Sequence, residues 1–169
     1  MEQGLEEKKV TSTEVYRGSF LRIYQDKVLL PDGREASREY VKHPGATAVV
    51  PITSDGRIVL VRQYRYPVGK VTLEIPAGKL DAEEEPLICA KRELKEETGA
   101  LEFEIKTFCD YSVQSDDKIN YGRVLVANIT LLGELPDSEI GEVIISKELP
   151  EKWTYPEIQK KFIERYIKK

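Results

Sequence analysis

Apolar positions along the chain alternate in short runs and switch to a three-and-four spacing in only two places. Residues 15–30 are rich in Val, Ile, Leu, Tyr and Phe, Pro31-Asp32-Gly33 supplies a turn, and residues 38–41 return. That pattern predicts an N-terminal antiparallel hairpin. A second hairpin is expected from residues 46–52 through Ser54-Asp55-Gly56 to residues 58–63. Residues 71–75 read as a short strand stopped by Pro76 and Gly78. Between residues 86 and 98 the period becomes helical: Leu87, Ala90 and Leu94 form a stripe, and Gly99 stands where a helix end favours a left-handed residue. Further strands are predicted at residues 103–108, 121–132 and 143–145. Thr154 and Glu157 make a capping box for a last helix, with Ile158, Phe162 and Tyr166 as its apolar stripe. Strands before, between and after two helices predict an α/β/α sandwich on a mixed sheet.

Composition narrows the setting. The 169 residues are 40% apolar, enough to build a core without a disulfide or metal staple. Lys and Arg number 26 against 30 acidic residues, a net charge of −4 that argues against nucleic acid as a partner. No apolar run approaches the ~20 residues that cross a bilayer, and the charged residues 1–9 do not read as a secretory signal. Cys89 and Cys109 match no zinc or redox spacing, so a reduced, cytoplasmic location is expected. An acidic protein acting on phosphates needs cations to neutralise them.

The candidate chemistry lies in residues 78–99. Glu93, Glu96 and Glu97 fall at i, i+3 and i+4, on one helix face. Like charges at this spacing are mildly destabilising unless a hard cation such as Mg²⁺ or Mn²⁺ sits among them. Arg92 lies eight residues after Glu84 and is placed to hold it or a neighbouring glutamate by a charge-assisted hydrogen bond. The preceding segment Ile75-Pro76-Ala77-Gly78 would bring backbone groups to the same point. Lys-Glu-Glu runs are ordinarily solvated helix faces. Here they are joined at fixed distance to Gly78 and Glu84: Gly, five residues, Glu, seven residues, then Arg-Glu-Leu-Lys-Glu-Glu-Thr-Gly.

That pattern is the Nudix box, met at every specified position through Gly99; only the last, ordinarily a bulky aliphatic, is Ala100. The flanks His43-Pro44-Gly45-Ala46, Val61-Arg62-Gln63-Tyr64-Arg65 and Glu74-Ile75-Pro76-Ala77-Gly78-Lys79-Leu80 resemble those of bacterial ADP-ribose pyrophosphatases. The resemblance implies a Nudix α/β/α sandwich at residues 42–169 and an N-terminal hairpin region, residues 1–41, for dimerisation. It implies Mg²⁺ or Mn²⁺ held by the Ala77 carbonyl, Glu93, Glu97 and Glu96, with Arg92 and Glu96 assisting catalysis. It further implies that Phe20, Arg38, Glu39, Arg65, Glu74 and Lys79 meet the nucleotide or its phosphates, some from the second subunit of a homodimer. Phe20 reads equally as core or as a base-stacking platform. Arg38 and Glu39 are strand neighbours pointing to opposite faces, so contact of both with one ligand requires a bulge or an edge. His43 reads as structural.

The implied reaction is hydrolysis of the diphosphate of a nucleoside diphosphate sugar, with ADP-ribose giving AMP and ribose 5-phosphate. A further carboxylate must orient or deprotonate water. Glu139 aligns best with the family, and Glu142, Asp116 and Asp117 are the alternatives. One departure concerns specificity: in place of a Ser-Pro-Gly segment the chain has Tyr111-Ser112-Val113-Gln114-Ser115-Asp116-Asp117. Other ADP-sugars and GDP-mannose therefore stay open as substrates. A non-catalytic ADP-ribose sensor is a competing class, but such proteins carry an eroded box and a winged-helix segment, neither of which is visible in this sequence.

Overall fold

The computed structural model describes residues 4–19, 21–115, 118–150, 153 and 159–167. Two compact units emerge, Met1–Pro44 and Gly45–Lys169.

The N-terminal unit is an antiparallel meander of β1 (Lys8–Arg17), β2 (Arg22–Leu29) and β3 (Glu35–Lys42), in that order. The expected hairpin is thus the core of a three-stranded sheet. Its first strand begins well before residue 15 because Lys8–Thr13 pair with β2 while exposing both faces, which leaves no alternating signal to read. Gly33, at φ 85°, closes the β2–β3 turn by donating its N–H to the Leu30 carbonyl at 3.0 Å. Tyr24 and Tyr40 face each other across β2 and β3 and stack at 5.7 Å.

The second unit is a mixed sheet in the order β10-β5-β4-β9-β8. Its strands are β4 (Ala46–Thr53), β5 (Ile58–Arg65), β6 (Lys70–Glu74), β7 (Ala77–Lys79), β8 (Ala100–Ser115), β9 (Lys118–Leu132) and β10 (Ile140–Ser146). Strand β6 pairs with β5, and β7 with β4. The β4–β9 pairing is parallel and the others are antiparallel. The second hairpin is corrected in one respect: β4 and β5 share a single ladder pair, Ile52 with Ile58. Beyond the turn β7 takes the β4 edge, and the Val49 N–H goes to the Pro76 carbonyl at 2.9 Å.

Strand residues alternate between two cores, which is the signature of a sheet covered on both faces. Val49, Val59, Leu125 and Ala127 point to helix α1 (Pro86–Thr98) and meet its Ala90 and Leu94. Val50, Leu60, Val124 and Val126 point the other way, toward Ile163 of helix α2 (Lys161–Ile167). The α/β/α sandwich follows from this alternation. Among the described residues no helix is long and apolar enough to cross a membrane. The capping box at Thr154 and Glu157, with Ile158, lies outside the described residues.

Helix α1 starts on Pro86, whose missing N–H costs nothing in the first turn, and ends at Gly99, φ 72°. The expected stripe needs one correction: Leu87 is exposed, and Cys89 takes the buried place beside Ala90 and Leu94. Gly99 is doubly constrained, since a Cβ there would overlap the Glu134 carbonyl. A left-handed alanine costs ~1–2 kcal/mol before any clash. Gly99→Ala should therefore destabilise the fold by at least ~2 kcal/mol, read as a lowered urea midpoint at unchanged m-value.

Candidate active site

The site is assembled where α1 crosses β7. Arg92 is its organiser. Its Nε and Nη2 donate to the two Glu84 oxygens at 3.0 and 2.8 Å, and its Nη1 to Glu93 Oε1 at 2.6 Å and Glu96 Oε2 at 3.4 Å. Nη2 also reaches the Lys79 carbonyl at 3.2 Å. This fork holds Glu84, which precedes the helix, against the helix itself. Glu84 accepts in addition the Asp81 N–H at 3.0 Å. These bonds, led by that from Arg92, lower its pKa from the usual 4.5 to about 2.

Glu97 is different. It is 8% exposed, and its one described hydrogen bond is from the Ala77 N–H at 3.0 Å. Burial, followed by repulsion from Glu93 and Glu139, raises its pKa from 4.5 to about 7 against the lowering effect of that bond. Burial also raises Glu93, despite its bond to Arg92. Ala77 and Gly78, which end the segment expected to bring backbone groups to this point, belong to the short strand β7, and this fixes the close approach. At Gly78 a Cβ would overlap the Glu93 carboxylate, so a larger residue there would displace that carboxylate from its present position.

Two desolvated carboxylates one helical turn apart, beside backbone groups, suit a hard divalent cation. Among the described residues no three acidic, histidine or cysteine side chains converge on one point. Mg²⁺ does not require that: it keeps several waters and takes one or two carboxylates together with substrate phosphates. Glu96 is 57% exposed and turned toward Arg92, on the rim of the site.

The remaining expected residues fall in three places. Arg65 and Glu74 pair at 2.9 Å across β5 and β6, with Glu74 buried, and Arg65 lies in the electrostatic reach of Glu97 and Glu139. Glu139, exposed just before β10, acts on Glu97 as well. Glu142 is engaged with Arg62 at 2.8 Å; Arg62 and Arg65, three residues apart on β5, point to opposite faces. Lys79 is exposed at the end of β7. Arg38 and Glu39 lie in the N-terminal unit on β3, an edge strand, where Arg38 pairs with Glu7 and Glu39 accepts from Gln25. The β2–β3 register has no bulge, so they face opposite ways. Phe20, Asp116 and Asp117 lie outside the described residues.

Sequence reasoning passed over a cavity of about 230 Å³ adjoining Ala77, with Tyr111, Gln159 and Phe162 among its lining residues. These residues share no spacing that would announce them.

The raised pKa of Glu97 makes stability depend on pH. Between about 4.5 and 7 the folded protein retains a proton that the unfolded chain has released. This contribution is full below the unfolded value and is lost as pH rises through about 7. At ~1.4 kcal/mol per unit and roughly 3 °C per kcal/mol, chelator-treated protein should lose on the order of 5–10 °C in Tm from pH 4.5 to 8. Glu97→Gln should remove most of that slope, and Mg²⁺ should restore the wild type at pH 8. The check is a Tm series against pH for both proteins; parallel profiles would refute the assignment.

Residues 42–166 match the NUDIX domain model, and residues 7–41 match the nucleoside diphosphate sugar hydrolase N-terminal domain model. Similar curated proteins include the ADP-ribose pyrophosphatase of Bacillus subtilis, 46% identical over 57% of this chain and 52% of the relative. That of Mycobacterium tuberculosis is 41% identical over 53% of this chain and 44% of the relative. The ADP-sugar pyrophosphatase of Mus musculus is 30% identical over 74% of this chain and 62% of the relative. The chain spans about half the length of the first of these relatives. A solved structure titled as an ADP compounds hydrolase superposes with a TM-score of 0.64 at 20% identity, covering 86% of this chain and 80% of its own, which shows the fold. With a matching domain over most of its length and the carboxylate helix seated on the glycine strand, this chain belongs to the Nudix family.

Proposed function

We propose that the protein is a divalent-metal-dependent pyrophosphohydrolase that cleaves the diphosphate of a nucleoside diphosphate sugar, ADP-ribose first among the candidates, to give AMP and ribose 5-phosphate. The observation that carries this is the pair of desolvated carboxylates, Glu93 and Glu97, held against β7 beside the Arg92 network. The names of the relatives support the substrate class. The mouse relative, called an ADP-sugar pyrophosphatase, favours keeping other ADP-sugars as a second reading.

Glu93, Glu97 and the Ala77 carbonyl would hold Mg²⁺ or Mn²⁺, with Glu96 completing the shell at the rim. A cation bound there supplies neutralising charge to the diphosphate and activates water, the larger part of catalysis at a phosphoric anhydride. Arg92 keeps Glu84 and Glu93 fixed, so the ligands need no reorganisation when substrate arrives. Arg65, oriented by Glu74, presents planar donors suited to a phosphate, and Lys79 adds a point charge. Glu139 orients and accepts a proton from the attacking water. Its electrostatic link to Glu97 and Arg65 favours it over Glu142, whose carboxylate is tied to Arg62.

The N-terminal unit leaves Val10, Val15, Tyr16 and Val41 exposed. Exposed apolar side chains on a sheet with open edges suit pairing with a partner. We assign it to a homodimer in which Phe20, Arg38 and Glu39 serve the nucleotide site. The unpaired cysteines suit a reducing, cytoplasmic setting.

Mg²⁺-dependent release of AMP from ADP-ribose, within a panel of nucleoside diphosphate sugars including GDP-mannose, tests the whole reading; no turnover of any member rejects it. Glu97→Gln should lower kcat at least ~10²-fold with the fold intact. Glu139→Gln should lower kcat with little change in Mg²⁺ affinity, and a larger loss from Glu142→Gln would move the base to that residue. Removing residues 1–41 should abolish both dimerisation and nucleotide affinity. Light scattering that finds a fully active monomer at micromolar concentration would sink the dimer.

A further inference from the structure

Strand β5 carries a buried amide that the site described above does not use. Along the strand Val61 and Gln63 are buried, Arg62 and Tyr64 are exposed, and Arg65 is half-buried. Val59 packs toward α1, so the period of two puts Val61, Gln63 and Arg65 on that same face. Gln63 is 3% exposed, yet its Oε1 has no hydrogen-bond partner among the described residues. The hydroxyl of Thr72, opposite on β6, goes instead to the Gln63 carbonyl at 3.0 Å. A buried amide oxygen without a donor destabilises a fold relative to an apolar side chain of the same shape. Native proteins keep such a group where it serves a water, a ligand or the chemistry.

The segment that carries Glu139 begins opposite this amide. Ile140 pairs with Gln63, is buried, and gives its N–H to the Ser138 hydroxyl at 3.2 Å. Glu139 is thus held between a buried anchor and a fixed turn. The ladder then shifts register between Ile140 and Glu142, an irregularity of the kind that re-aims side chains beside active sites. Glu139 acts electrostatically on both Arg65 and Glu97, which places it over the face that Gln63 shares with Arg65.

Two acceptors therefore flank one region, the exposed carboxylate of Glu139 and the buried oxygen of Gln63. A water has two hydrogens, and acceptors for both fix the direction of its lone pair. Glutamine suits the second position because it accepts without adding negative charge beside Glu139 and Glu97.

We propose that Gln63 is a catalytic residue of the hydrolysis, its Oε1 holding one hydrogen of the attacking water while Glu139 takes the other. This rests on the reading of the chain as a nucleoside diphosphate sugar hydrolase with Glu139 as base. The water oxygen bonds to one phosphorus as the bridging P–O bond breaks. The electron pair of that bond leaves with the departing phosphate, and one proton passes to Glu139. The second hydrogen stays on the new phosphate oxygen, held by Gln63 until release.

The test pairs stability with turnover in Gln63→Met and Gln63→Leu, which keep the bulk and remove the acceptor. Both are measured on the member of the nucleoside diphosphate sugar panel that wild type turns over fastest. Tm should hold or rise, because an unpaired buried acceptor is removed. At the same time kcat should fall at least about tenfold, with KM and Mg²⁺ affinity unchanged. In a Glu139→Gln background the same substitutions should cost little further, since both residues serve one water. A lowered Tm with normal kcat, or loss of the fold in both variants, would make the side chain structural and overturn the assignment. A raised KM at unchanged kcat would move it to substrate binding, and a full additional loss in the Glu139→Gln background would separate it from the base; either outcome also overturns it. Wild-type protein that turns over no member of the panel rejects the hydrolase reading and this role together, whereas wild-type turnover with unaltered variants rejects this role alone.

Discussion

One guanidinium carries the site. Arg92 bonds Glu84, Glu93 and Glu96 and the Lys79 carbonyl, so three carboxylates that would repel one another are held by a single planar cation. Lysine could not repeat this, because a point charge lacks the fork that engages Glu84 twice while reaching Glu93. Glu97 stands outside the network. Its charge is met by one backbone N–H and, at longer range, by Arg65, and burial raises its pKa to about 7. The cradle therefore has a half that the protein neutralises itself and a half that it leaves for a cation.

That division depends on backbone placement. Strand β7 is three residues long, yet it fixes both close contacts: the Ala77 N–H on Glu97 and the bare Cα of Gly78 beneath Glu93. It is anchored to β4 by antiparallel pairing at Ala46–Lys79, Thr47–Gly78 and Ala48–Ala77. Strand β4 is locked in turn to β9 by seven parallel pairs and buried on both faces. Helix α1 packs Ala90 and Leu94 on the same sheet. Carboxylates and glycine strand thus hang from one rigid frame, which a site that must hold ligands to within a fraction of an ångström requires.

The legible part of the molecule is the part whose signals are local. Pro86 and Gly99 mark the ends of α1 because each suits a backbone position there, and Gly78, Glu84, Arg92, Glu93 and Glu97 sit in one stretch whose spacing is itself the signal. Strand β1 was hidden at its start because residues exposed on both sides leave no alternation. Leu87 entered the stripe on hydrophobicity, whereas the helix rolls to bury Cys89, whose thiol is met by the Thr47 hydroxyl at 3.3 Å. The lone pairing of Ile52 with Ile58 was hidden because the turn is local, while the claim of β7 on the β4 edge is settled by chain that comes later. Tyr111, Gln159 and Phe162 meet only through the tertiary fold.

The two faces of the sheet are furnished differently. The carboxylates ride on α1 against the layer that contains Val49 and Leu125, and the cavity opens on the layer that contains Val50 and Val124. Few residues belong to both: Ala77 lines the cavity and binds Glu97, and Glu74 borders the cavity while orienting Arg65. Substitutions at Tyr111, Gln159 or Phe162 can therefore reshape the cavity without entering the Arg92 network. Substitutions at Ala77 cannot, because a larger side chain there would crowd the cavity on a backbone that positions Glu97. The departure from Ser-Pro-Gly at residues 111–117 leaves every carboxylate of the box in place.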